Sequence, residues 1–167
     1  MTADEIIDGV LHREGGYSDR AQDKGGPTNY GVTTATLGAW RKLGRPATRA
    51  EVKALKVGEA HDIYRQQYLT APRFDRVADD RLRALLVDFG VHSGPVRAVK
   101  ALQRAVDVPI DGVIGAQTLD ALRRQDATEV YRAVLRERGE LIAAILQRDR
   151  TQLVFAAGWL RRLMEFV

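Results

Sequence analysis

The chain has no cysteine and only three histidines among its 167 residues. No disulfide can brace it, so the fold depends on no redox compartment. His12, His61 and His92 lack ligand spacing and leave no basis for a zinc centre. No apolar run approaches the roughly 20 residues needed to cross a bilayer. The opening Met1-Thr2-Ala3-Asp4-Glu5 is acidic and polar, unlike a secretory signal. There is no low-complexity tract, no linker and no array of repeats. Ser93 stands beside His92, but no strand-turn-helix elbow surrounds it, which excludes a serine-hydrolase nucleophile.

Hydrophobic residues make up 45% of the chain, too many for a disordered segment. A chain of this length buries about 70% of its unfolded surface, enough for one compact unit with a sizeable core. The net charge is +4, which attracts polyanions in general. Nucleic acid is the rival partner class, but the basic residues are scattered among acids and no nucleic-acid module is evident. The densest basic stretch, Arg132 to Arg138, includes Glu137 and reads as a solvated helix face.

Periodicity predicts a strongly helical protein. Thr2 to Glu5 has the form of a capping box, and Ile6, Ile7, Val10 and Leu11 recur at helical spacing after it. Thr33 or Thr34 opens a short helix through Trp40, and Thr48 to Glu51 is a second capping box, for a helix to about Leu55. Further helices are expected from about Glu59 to Tyr68, after the caps Asp79 and Asp80, and from Pro95. Three more are expected over Ala116 to Arg124, Thr128 to Gln147, and Phe155 to Glu165. Only Tyr17 to Thr33 suggests strands, as a small hairpin.

Glu14 is the chain's most informative residue. It closes the first helix, directly before Gly15-Gly16, and falls on the same face as Ile7 and Leu11. Placement at the dipole's negative end and toward the core disfavours the charged carboxylate, as a general acid near neutral pH requires. The bland alternative is an ordinary exposed glutamate at a helix end. Asp23-Lys24-Gly25-Gly26-Pro27-Thr28-Asn29-Tyr30-Gly31 follows, a Gly-rich segment whose value is positional. Asp23 is the better second carboxylate, or else a turn cap; Asp19 suits a local Asx turn. Thr28 can orient a water. Two carboxyls so placed are the parts needed to cleave a glycosidic bond, a chemistry that needs no cofactor and no metal.

Glu14-Gly15-Gly16-Tyr17, the Asp23-Lys24-Gly25-Gly26 turn and Thr28-Asn29-Tyr30-Gly31-Val32-Thr33 resemble the glycoside hydrolase family 108 lysozymes. The resemblance extends over nearly the whole chain, through Ala60 to Tyr68, Asp88 to Gly94 and Gly158 to Arg162. Leu69 and His92 depart from it, standing where an aromatic residue and Asn are usual. A second motif, Leu102-Gln103, then Asp111-Gly112-Val113-Ile114-Gly115, then Thr118 to Leu122, is similar to a peptidoglycan-binding helical module. It reads as two amphipathic helices joined by a loop that docks Ile110 and Ile114 between them, and in isolation such a pattern is more often helix-packing scaffold than ligand site.

These resemblances imply a mainly α, lysozyme-like fold: a small N-terminal lobe with a short β-hairpin, packed on a larger helical lobe. Residues 1–78 would be the catalytic region and 79–167 the peptidoglycan-binding-like region, within one compact unit. The implied activity is an N-acetylmuramidase cutting the β-1,4 bond of bacterial peptidoglycan, as in phage or prophage endolysins. Glu14, Asp23 and Thr28 would be catalytic; Tyr17, Asn29, Tyr30, Asp88 and His92 would bind substrate. Packing roles for Tyr17 and Tyr30, an Asp88–His92 pair, and a core position for Trp159 remain open. The expected setting is a monomer made in the host cytoplasm, released by a holin and acting on the wall in the periplasm. Nucleic acid and stable membrane insertion play no part, although the C-terminal amphipathic stretch leaves membrane disturbance open. The alternatives are a non-catalytic wall-binding protein and a secretion-associated muramidase.

Overall fold

The computed structural model describes residues 2–19 and 26–167. Among them, nine α-helices and one two-stranded hairpin are joined by short turns, and contacts divide the chain into two compact units, Asp4–Gln67 and Tyr68–Val167, the latter including the chain's start through Ala3.

In the first unit, helix α1 (Ala3–Glu14) carries Asp4 and Glu5 in its first turn, where the dipole favours them, and buries Ile6, Ile7, Val10 and Leu11. Strands β1 (Thr28–Asn29) and β2 (Val32–Thr33) pair antiparallel, Thr28 opposite Thr33 and Asn29 opposite Val32. The two residues between them, Tyr30 and Gly31, have φ of 51° and 72°. Positive φ at both positions is the I′ turn whose twist suits a tight hairpin. Ser18 extends the ladder by a bridge to Thr28, with paired backbone hydrogen bonds of 2.8 Å. Helix α2 (Thr34–Trp40) starts where Thr33 Oγ1 accepts from Thr36 N. Helix α3 (Arg49–Lys53) has the capping box expected at Thr48, with Glu51 reaching back to Thr48 N at 2.6 Å. Helix α4 (Val57–Arg65) starts earlier than its periodicity indicated. It widens into a π-type turn over Gln66–Thr70, so its last residues are not α-helical.

In the second unit, helix α5 (Asp80–Ser93) is capped by Asp79, whose Oδ1 accepts from Leu82 N at 2.7 Å; Asp80 is its first helical residue rather than a second cap. Leu82, Leu85, Leu86 and Phe89 are buried as their stripe predicts. Helix α6 (Pro95–Ala105) has proline in its first turn, where no amide hydrogen is missed. Helix α7 (Ala116–Arg124) has the expected bounds, and helix α8 (Ala127–Arg148) is capped by Asp126. A single 3-10 turn over Arg150–Gln152 leads into helix α9 (Leu153–Met164). No helix of the described residues is long and apolar enough to cross a membrane.

The loop between α6 and α7 corrects one expectation. Ile114 is buried, but Ile110 is 47% exposed, so only one isoleucine docks. Gln103 accounts for the difference. Its buried amide donates to Asp111 Oδ1 at 2.6 Å and to the Val113 carbonyl, and its Oε1 accepts from Gly112 N. Hydrogen bonds from below anchor the loop where a second apolar side chain was expected.

Candidate active site

Glu14 is the last residue of α1, and Gly15 leaves the helix at φ 70°. With no further turn above it, its side chain is exposed, which corrects the core-facing position inferred from its spacing. It still has a defined seat. A Cβ built on Gly31 would stand 3.1 Å from Glu14 Oε2 and 2.5 Å from the Tyr64 hydroxyl oxygen. The bare backbone of the I′ turn is therefore what lets the carboxylate and the buried Tyr64 approach that point together.

Gly31→Ala is the direct check. Positive φ and the two close contacts both oppose a methyl group, so the side chains must shift. Displacement of a reacting group by about 1 Å costs about 10²-fold in rate. We expect a loss of that order in wall hydrolysis, with a lower melting temperature on the same sample.

Thr28 is half-buried in β1 of the same hairpin. Tyr30 is half-buried in the turn, in a left-handed conformation uncommon for a bulky residue. Tyr17 is 37% exposed and its hydroxyl donates to Asp19, whose Oδ2 also takes Arg49 at 2.9 Å. Asp19 is thus paired through its side chain, where a local Asx turn was expected. Asp23 lies outside the described residues. Among those described, no group of three metal-ligating side chains converges.

Asn29 performs a different task from sugar contact. It is buried, and its amide donates to the carbonyls of Val52, Lys53 and Leu55 at 3.0–3.4 Å. Carbonyls at a helix C-terminus have no partner within the helix, and Asn29 supplies one at the end of α3. Asn29→Ala removes this shared donor, although Val52 O keeps the Leu55 amide at 3.1 Å, and should cost about 1–3 kcal/mol of stability. KM for wall fragments should move little, and thermal melts beside kinetics separate the two roles.

Asp88 and His92 stand in the second unit, on α5. Asp88 is fully buried, its Oδ2 taking Arg138 Nη2 at 2.6 Å and its Oδ1 taking Arg162 Nη2 at 2.7 Å. The expected partner was His92 or the backbone; the arginines that hold the carboxylate come from helices 50 and 74 residues further along. Arg138 corrects a second expectation, because it is wholly buried although it ends the stretch read as a solvated face. Desolvation, the largest influence on Asp88, pushes its carboxyl up. The Arg162 hydrogen bond and the fields of both arginines outweigh it and hold the group below the usual carboxylate range. His92 meets Trp159 edge to face at 5.6 Å between ring centres, and Trp159 stacks on Phe155. Burial, then the fields of Arg162 and Arg138, push the His92 imidazole down, so it is neutral at pH 7.

Tyr64 is the residue that sequence reasoning left out of the site. It stands within the Ala60 to Tyr68 run that resembles the family's helix, and only the fold brings its hydroxyl to Gly31, beside Glu14.

Compared with known proteins, residues 7–94 match the family described as Glycosyl hydrolase 108. The chain belongs to the glycosyl hydrolase 108 family. All the candidate site residues lie inside that match, and residues 97–164 match a second family, described as a predicted peptidoglycan domain. No curated protein matches the chain. A solved structure, that of Brucella abortus SagA, is similar at 41% identity and a TM-score of 0.79, covering 97% of this chain and 89% of that one. The fold is accordingly mainly α and lysozyme-like. This glycosyl hydrolase 108 chain joins a glycosidase module to a peptidoglycan module, which makes the bacterial cell wall its place of action.

Proposed function

We propose that the chain is an N-acetylmuramidase that hydrolyses the β-1,4 bond between N-acetylmuramic acid and N-acetylglucosamine. The observation that carries this reading is the exposed Glu14 carboxylate seated on the I′ turn of the hairpin. Glu14 protonates the leaving glycosidic oxygen. Asp23 stabilises the oxocarbenium-like centre or acts as base, and Thr28 orients water or substrate. Tyr17 and Tyr30 offer rings to the sugars, and residues 79–167 hold the wall while the hairpin region cuts. The setting is host lysis by a phage or prophage endolysin, a monomer released by a holin.

Digestion of purified Gram-negative sacculi, with mass spectrometry of the fragments, tests the bond. Muramic acid at the new reducing ends is the expected result. Glucosamine ends or peptide cleavage would overturn the bond assignment. Absence of products with intact sedimentation would leave a wall-binding protein. The identity to a Brucella abortus protein favours a second setting for the same chemistry, a secretion-associated muramidase of the bacterium itself. Neighbouring holin genes or secretion genes discriminate between the two.

A further inference from the structure

The motif Thr118-Leu119-Asp120-Ala121-Leu122 leaves two leucines without a full packing role. Thr118 and Ala121 bury the inner face of α7, whereas Leu119 and Leu122 stay part-exposed. Both line a cavity of about 280 Å³ in the second unit, walled on the other side by Val77, Leu82 and Ala127. That volume is near the lower end of ligand pockets, about 300 Å³. Arg76 and Leu119 also line a second, more polar cavity of about 430 Å³, completed by Thr70, Arg73 and Asp75. An apolar slot and a polar chamber therefore share one wall.

The charges of this groove have mixed sign and differ in how firmly they are engaged. Asp79 is spent as the α5 cap, Arg123 is paired with Asp120, and Arg73 donates to the Ile114 carbonyl at 3.1 Å. Arg76 and Asp75 stand apart from these. Nε of Arg76 is 3.9 Å from Asp75 Oδ2, beyond hydrogen-bond range, and the two side chains are 70% and 41% exposed. The chamber thus presents a guanidinium and a carboxylate side by side, next to a slot lined by leucine and alanine side chains. No aromatic ring lines either cavity, so the platform on which a sugar face would stack is missing.

We infer that this groove binds the stem peptide of peptidoglycan rather than its glycan. The inference rests on the wall-acting reading above. A stem peptide of the diaminopimelate type combines alanine methyls with free carboxylates and one free ammonium. The methyls enter the Leu82–Leu119–Leu122 slot, a carboxylate meets Arg76, and the ammonium meets Asp75. Held there, the peptide ties its glycan strand to the second unit independently of the Glu14 hairpin.

The test titrates the N-acetylated tetrapeptide N-acetyl-L-alanyl-γ-D-glutamyl-meso-diaminopimelyl-D-alanine, which like the wall-linked stem carries one free ammonium, into the full chain by calorimetry. Wild type is compared with Arg76→Glu, which reverses an exposed charge, and Leu119→Trp, which fills the slot. Thermal melts verify that both variants fold. Loss of a charge-assisted contact should weaken binding about tenfold or more, and both variants should sediment less with whole sacculi. Soluble glycan strands freed of stem peptides by an amidase should compete equally weakly with intact sacculi for all three proteins. No heat from the tetrapeptide with wild type, or equal affinity in all three proteins, would overturn the groove assignment. If wild type still cleaves sacculi in that case, the muramidase reading stands alone; if it neither cleaves nor sediments, both fall.

Discussion

Glu14→Gln is expected to lower the rate of sacculus cleavage by roughly 10²–10⁴-fold, the range by which a positioned acid accelerates proton transfer. Glutamine keeps the shape of the side chain over Gly31 and can still accept a hydrogen bond, but it has no carboxyl proton to give the leaving oxygen. Sedimentation with sacculi should be unchanged, because nothing at the hairpin is needed for the second unit to hold the wall. The expected signature is a fall in kcat with little change in KM, measured on dye-labelled sacculi. Exposure of Glu14 does not oppose this role. A glycan strand laid over the turn would cover the carboxylate and displace water from it. A variant as active as wild type would remove Glu14 from the mechanism. Anomer analysis of the products by NMR would extend the result: retention implies carboxyls about 5 Å apart, inversion about 6.5–9.5 Å.

Local signals were legible in the sequence wherever one residue type and one spacing decide the outcome. The Thr48–Glu51 box, the Asp79 cap, Pro95 at its helix start and the bounds of α7 are all of that kind. Glu14 at the end of α1 was legible too, because a Gly-Gly stop follows it. Its environment was not, since periodicity assigns a face to a residue but cannot say whether chain further along covers that face. The same limit explains Ile110, which has the spacing of an anchor but yields its place to the polar Gln103. It also explains Asp88 and Arg138. Their pairing joins α5 to α8, and no local pattern marks one arginine of a basic stretch as the buried one. Tyr64 was missed because its relevance comes from the space left open by Gly31.

Asp88→Asn is expected to destabilise the second unit by about 3–5 kcal/mol, the cost of removing one partner from a buried ion pair. The arrangement magnifies the effect. Arg138 is wholly buried, its Nε and Nη1 have no hydrogen-bond partner, and the Phe89 and Phe166 rings flank its guanidinium at 5.7 and 5.3 Å. Cation–π contact offsets part of its desolvation, but the carboxylate is its charge partner. Without Asp88, the wholly buried guanidinium of Arg138 and the part-exposed one of Arg162 face each other with no carboxylate between them. At about 2–4 °C per kcal/mol for a chain of this size, the melting temperature should fall by about 10 °C. Acid titration gives an independent readout. The folded carboxyl of Asp88 is held below its ordinary value, so the unfolded chain takes up this proton first as pH falls. Its contribution is complete above about pH 4 and is lost as pH drops through the folded value. His92, pushed down from 6.5, acts in the same direction at higher pH: stability declines as pH falls below about 6.5, where the unfolded imidazole charges first. Wild type should therefore lose stability in two stages on acidification, and Asp88→Asn should keep the upper stage and shrink the lower one, to which Glu51, Glu59, Asp111 and Asp149, also held below the usual carboxylate range, contribute as well. A companion Asp88→Leu/Arg138→Met/Arg162→Leu chain separates charge from packing, because replacing a whole buried charged cluster by apolar groups is often neutral. If the single variant melts with wild type, the cluster contributes no net stability, and its burial would need another explanation.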